Sequence, residues 1–203
     1  MSERIHIPPY EYFAAVQHAW AITAVRQTHK REYMPQFGNT EFDAYMMSSI
    51  SETAVCEYLG VKHPRIVVLE GDGGSDLVVD GVRLQIKSCQ PTHRYFISNN
   101  TKTFSADFGI LTRFVMPTVV DIVGFVTREE LESSGEIRDF GYGLRLAMRE
   151  DSLSPINGLR ERYGKGLQER VPGVPRETGA NQGAFAAQRS TARVRTGSRQ
   201  VAF

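Results

Sequence analysis

Asp80-Gly81 stands between two short aliphatic runs, Leu77-Val78-Val79 and Val82-Arg83-Leu84-Gln85-Ile86. An Asp-Gly pair in that setting is the strongest local signal for a two-residue β-hairpin turn, because its central positions need positive φ. A turn of fixed length leaves one register: Val79 faces Val82, Val78 faces Arg83, Leu77 faces Leu84 and Asp76 faces Gln85. Side chains alternate between faces along a strand. Leu77, Val79, Val82, Leu84 and Ile86 therefore share one face, and Asp76, Val78, Arg83, Gln85 and Lys87 share the other. The first face is wholly apolar and needs a covering layer. The second gathers a carboxylate, an amide, an ammonium and a guanidinium at the open end of the hairpin.

The rest of the chain supplies that layer. Pro8-Pro9 is a natural helix start, and residues 10–31 contain neither Gly nor Pro while spacing Phe13, Val16, Trp20 and Ala24 at helical intervals. Pro35, Gly38 and Asn39 break this first helix. A second is expected over about 41–59, closed by a left-handed cap at Gly60. Phe13, Trp20, Met46 and Met47 are most simply core, and two helices precede any strand. β-rich runs follow at 65–69, 77–79, 82–86, 108–114 and 119–126, and Thr127 with Glu130 forms a capping box for a short helix to 132. The pattern predicts an α/β fold with a mixed four- to five-stranded sheet flanked by helices, an N-terminal helical extension and a flexible tail.

The chain has 203 residues, of which 41% are hydrophobic and 23% charged, as in ordinary globular proteins, so collagen-like and wholly disordered readings fall away. No apolar run approaches the roughly 20 residues needed to cross a bilayer, and Met1-Ser2-Glu3-Arg4 does not lead into an apolar signal core, so a cytoplasmic protein without membrane contact is expected. Cys56 and Cys89 are too few for a disulfide framework or zinc cluster and are read as reduced, buried residues. Charge is uneven. Residues 165–203 carry seven Lys+Arg against two acids, so a basic arm poor in aliphatic periodicity follows an acidic body. That arm is either a salt-sensitive grip on nucleic acid or a solvated terminus. The expected divisions are an N-terminal helical segment (1–40), a central α/β domain (41–164) and the arm (165–203).

The polar face of the hairpin carries the chemistry. A carboxylate and an amide oxygen side by side suit a hard divalent cation such as Mg2+, which takes one or two carboxylates plus waters. A lysine two residues on can orient a water or neutralise charge growing on a phosphate. The plain alternative is a surface salt bridge between Asp76 and Lys87 with Gln85 as filler.

Asp76, Gln85-Ile86-Lys87 and the preceding Gly71-Asp72-Gly73-Gly74 resemble the PD-(D/E)XK nuclease superfamily, in particular the variants with glutamine for the second acid, as in Mrr-type restriction enzymes and the virus-type replication-repair nuclease domain. The family places a glutamate on the helix before the sheet. The stretch 51–60 is similar to that helix, with Glu52, Val55 and Leu59 on one stripe and Glu57 as a fallback on another side. The resemblance spans about 45–132. It implies a restriction-endonuclease-like core and a Mg2+- or Mn2+-dependent nuclease hydrolysing DNA, in a bacterial or phage repair, recombination or restriction setting, with a homodimer among the arrangements. It further implies that Asp76, Glu52, Gln85 and the main-chain carbonyl of Ile86 hold the metal, and that Lys87 positions water or stabilises charge. Arg83 on the same face and the segment with Gln90, His93, Arg94 and Tyr95 are candidate nucleic-acid contacts. Two departures stand out: no proline precedes Asp76, and Gln85 withdraws a negative charge from the site.

Other chemistries find no motif. The glycine loop lacks the Gly-Lys-Ser/Thr ending of a nucleotide-binding loop, the five histidines show no metal-ligand spacing, and no serine has a nucleophile-elbow context. A nuclease, a catalytically silent nucleic-acid-binding or assembly module, and a structural protein with a mere salt bridge are the three readings to separate.

Overall fold

The hairpin forms as its turn residues dictate, with φ of 51° at Asp80 and 85° at Gly81. In this computed structural model, which describes residues 2–28, 40–67, 75–98 and 104–159, the chain runs β1 (Glu3–His6), α1 (Pro9–Thr28), α2 (Glu41–Leu59), β2 (Leu77–Val79), β3 (Val82–Cys89), β4 (Tyr95–Ile97), β5 (Phe108–Met116), β6 (Val119–Thr127), α3 (Arg128–Ser134), β7 (Glu136–Asp139) and β8 (Leu144–Arg149). The glycine loop 71–74, the end of the expected first helix and the basic arm 165–203 lie outside the described residues.

Five strands form a mixed sheet in the order β1-β6-β5-β3-β2, with β3 and β5 parallel and the other pairs antiparallel. A second, three-stranded antiparallel sheet has the order β4-β8-β7. The apolar face foreseen for the hairpin is buried: Leu77, Val79, Leu84 and Ile86 pack with Ile110, Ile122 and Phe125 against Val55, Cys56 and Leu59 of α2. On the other face, Cys89, Leu111 and Val126 pack with Phe96, Leu131, Leu146 and Met148, so the second sheet and α3 form the opposite layer. Gly109, opposite Gln85 on the neighbouring strand, makes this contact possible, since a Cβ there would lie 2.4 Å from the Phe96 ring.

Helix ends follow their caps. Thr40 and Asp43 make a reciprocal capping box at the start of α2, which ends on Gly60 in the left-handed conformation (φ 67°). Thr127 and Glu130 do the same for α3, whose helix continues to Ser134.

Several expectations are corrected. A strand does precede the helices, because β1 pairs with β6 as an edge of the main sheet. Phe13 and Trp20 are not core: they are 64% and 63% exposed, while the small residues Ala15 and Ala19 are buried with His18 and Thr23. Small side chains let α1 approach α2 closely, and the large ones turn outward. The run at 65–69 is not a strand over its described part, where Arg65 has φ 48° and its amide donates to the His63 ring. β4, β7 and β8 were not foreseen, being short strands with little alternation.

Candidate active site

Asp76 sits one residue before β2, at the open end of the hairpin. The expected pairing continues through Leu77–Leu84 and then departs. The Asp76 amide donates to the Leu84 carbonyl (2.8 Å), and its carboxylate Oδ2 accepts the backbone N–H of Ile86 (2.5 Å). A side-chain oxygen thus does the work of a ladder carbonyl and holds a negative charge beside the Gln85-Ile86-Lys87 strand. Gln85 is 3% exposed, and Lys87 is half-buried. Both leave β3 on the face of Cys89 and Leu111, whereas Leu84 and Ile86 enter the core against α2. The Lys87 main chain is fixed from the next strand, its carbonyl accepting from the Thr112 hydroxyl (3.2 Å).

Glu52 is on the expected stripe of α2, but its oxygens are engaged: Oε1 accepts from the Ser48 hydroxyl (3.1 Å) and Oε2 lies 2.9 Å from His63 Nε2. The Arg65 amide donates to His63 Nδ1 (2.9 Å), which leaves the proton of a neutral ring on Nε2 and aims it at Glu52. His18, packed edge-on at 5.4 Å from the His63 ring, contacts Ser49 Oγ (3.1 Å) and the Ile66 carbonyl (3.4 Å). Burial depresses its pKa, with the Ile66 carbonyl acting the other way. Arg65 pairs with Glu11 of α1. Sequence reading missed His18 and His63, which lie far apart in the chain and meet only when α1 packs on α2. Glu57 is exposed.

The flanking candidates are tied down. The Arg83 guanidinium reaches Asp107 (3.3 Å), whose carboxylate also accepts the Arg83 amide and an Arg128 bond (2.7 Å). These donors, the Arg83 amide foremost, hold the Asp107 pKa below the usual carboxylate value. Gln90 and His93 close a turn after β3, with the His93 amide on the Gln90 carbonyl (3.0 Å). Arg94 pairs with Glu150 (2.6 Å), which Arg113 also contacts.

Comparison with known proteins gives no family: no protein-family model, curated protein or solved structure matches the chain. The site therefore stands on its own geometry. Among the described residues no three His, Cys, Asp or Glu side chains converge as a cation site. The oxygen donors that the motif offers are the Asp76 carboxylate just before β2 and, at consecutive positions of β3, the buried Gln85 amide and the Ile86 main-chain carbonyl, all of them hard. That set fits Mg2+ or Mn2+ in kind, at the low-charge end of what such ions accept.

No helix of the described residues is long and apolar enough to cross a membrane.

Proposed function

We propose that this chain is a metal-dependent nuclease of the PD-(D/E)XK type, hydrolysing DNA phosphodiester bonds in a bacterial or phage DNA-processing, repair, recombination or restriction setting. The observation that carries the reading is the hydrogen bond from the Ile86 amide to Asp76 Oδ2. It fixes a carboxylate at the open end of the motif hairpin, beside the strand bearing Gln85 and Lys87.

The topology supports a restriction-endonuclease-like core. A helix precedes the hairpin, the motif strand β3 is interior to the sheet, and its other neighbour β5 is parallel to it. In this reading Asp76, Gln85 and the Ile86 carbonyl would hold Mg2+ or Mn2+, and Glu52, with both oxygens engaged by Ser48 and His63, is the ligand the geometry supports least. A bound cation supplies Lewis-acid polarisation of a phosphodiester and lowers the pKa of a bound water. Lys87, on the Gln85 side of β3, orients the attacking water or balances charge on the phosphate. Asp76 keeps the donor set in place through the Ile86 amide.

The test is cleavage of single-stranded, double-stranded and branched DNA with Mg2+, Mn2+ or EDTA, beside Asp76→Ala and Lys87→Ala. Metal-dependent cutting lost in both folded variants is the expected result. If the folded protein cuts none of these substrates with either metal, the nuclease reading fails. Metal-independent DNA binding would then favour a catalytically silent module, the reading to which the neutral Gln85 and the engaged Glu52 already point.

A further inference from the structure

The outer face of the three-stranded sheet sets two opposed arginines beside aromatic rings. Its register puts Tyr95 and Ile97 of β4, Arg145, Ala147 and Arg149 of β8, and Glu136 and Arg138 of β7 on the side turned away from the buried Phe96, Leu146 and Met148. Arg138 and Arg145 are direct cross-strand partners. Like charges in that position repel and destabilise a sheet. Each is held on an aromatic ring. The Arg138 guanidinium lies 4.9 Å from the Tyr95 ring and 6.0 Å from Phe140, and donates to the Tyr95 hydroxyl (2.6 Å). That of Arg145 lies 5.6 Å from Tyr142. Among the described residues Arg145 meets no carboxylate, only the Leu144 and Tyr142 carbonyls, and Arg138 has the distant Glu136 (3.7 Å).

The rings form a row. Tyr95 and Phe140 meet edge to face at 5.6 Å, and Phe140 and Tyr142 lie nearly parallel at 6.2 Å. Two opposed cations that an anion would bridge, beside a row of rings, match a ligand that alternates phosphate with flat bases. Bases in a duplex are already stacked on one another, so only an unpaired strand can use the rings.

We propose that this face binds single-stranded DNA, with backbone phosphate between Arg138 and Arg145 and bases against the Tyr95, Phe140 and Tyr142 row. The choice of DNA over RNA rests on the nuclease reading; the surface itself does not require cleavage.

The experiment is fluorescence anisotropy of a labelled short oligo(dT) with the full chain in EDTA, across a salt series. Every variant shares residues 165–203, so a contribution of the basic arm cancels between them. Arg138→Gln with Arg145→Gln is expected to weaken binding about tenfold or more at low salt and to flatten the log–log salt slope by about 0.7, the share of one single-strand phosphate. Tyr142→Leu and Phe140→Leu, made separately, should each weaken binding at least about fivefold with the slope kept. Lys62→Gln, an exposed lysine in the segment after α2, should change affinity less than about twofold. Wild-type affinity in the folded double arginine variant, or in both folded ring variants, overturns the proposal. So does equal or tighter binding of duplex DNA or oligo(U). A wild-type protein that binds the oligonucleotide by these residues yet cuts no DNA would sink the nuclease reading and leave this surface standing.

Discussion

Asp76 Oδ2 accepts the Ile86 N–H at 2.5 Å, so the hairpin is closed at its open end by a charged side chain in place of a backbone carbonyl. The bond joins fold and chemistry. It ends the ladder one pair early and sets a carboxylate against the strand from which Gln85 and Lys87 project.

Removing that acceptor should be felt twice. Asp76→Ala strands the amide of the buried Ile86, at a cost of about 1–3 kcal/mol, and Asp76→Asn, which keeps an acceptor oxygen, should cost less. Both should abolish metal-dependent cleavage. Urea unfolding monitored beside the cleavage assay separates the two effects, and a cleaving Asp76→Asn protein would remove the carboxylate from the mechanism.

Gln85→Glu adds a charge at a position that is 3% exposed. A buried carboxylate without a cation is costly, so the variant should melt below wild type in EDTA. Ligand binding to the folded state alone stabilises it, so Mg2+ should raise the melting temperature of the variant more than that of wild type. Equal shifts would mean that no cation binds beside residue 85.

How much of this was legible follows from the range of each signal. The turn at Asp80-Gly81, the Gly60 cap and the Thr127–Glu130 box depend on a few adjacent residues, and each formed as its chemistry requires. The hairpin register was readable to Leu77–Leu84 and not beyond, because a side chain took over the next backbone bond. The outward turn of Trp20 and Phe13 was not readable, since helical spacing gives a stripe but not which stripe meets a neighbour. Glu52 shows the same limit at the site. Its helix position was foreseen, but its engagement by His63 depends on a segment after Gly60 that folds back without regular structure. The Arg138–Arg145 pairing needed the β7–β8 register, which no turn motif announced.

Gly109→Ala should disturb the layer over Gln85. The new methyl would lie 2.4 Å from the ring of Phe96, which is fully buried. Overpacking of this kind costs about 1–3 kcal/mol. Phe96→Leu in the same chain should recover part of the loss, so a double-mutant cycle should show coupling. Additive effects would mean that the two residues do not press on one another.

Both thiols should be inert in the folded protein. Burial pushes Cys56 up to about 12 and Cys89 up to about 11, leaving almost no thiolate near neutral pH. Ellman's reagent at about pH 8 should label neither residue in buffer and both in denaturant. Rapid labelling of Cys56 in buffer would show that α2 opens away from the sheet.

His18 gives the fold a pH dependence of definite sign. Burial lowers its pKa, and the neighbouring His63 and Arg65 push the same way while the Ile66 carbonyl and Glu52 oppose them. In the unfolded chain the ring titrates near its ordinary value of about 6.5. As pH falls through that value the unfolded state takes a proton that the folded state still refuses, so stability present above it is lost on acidification until the lower folded pKa is reached. The urea midpoint of the wild type should therefore drop between about pH 7.5 and about pH 5.5. His18→Gln keeps a polar group near Ser49 but cannot be protonated, and should be less stable at the upper pH with a shallower drop. Parallel curves for the two proteins would assign the acid sensitivity to other groups and remove His18 as its source.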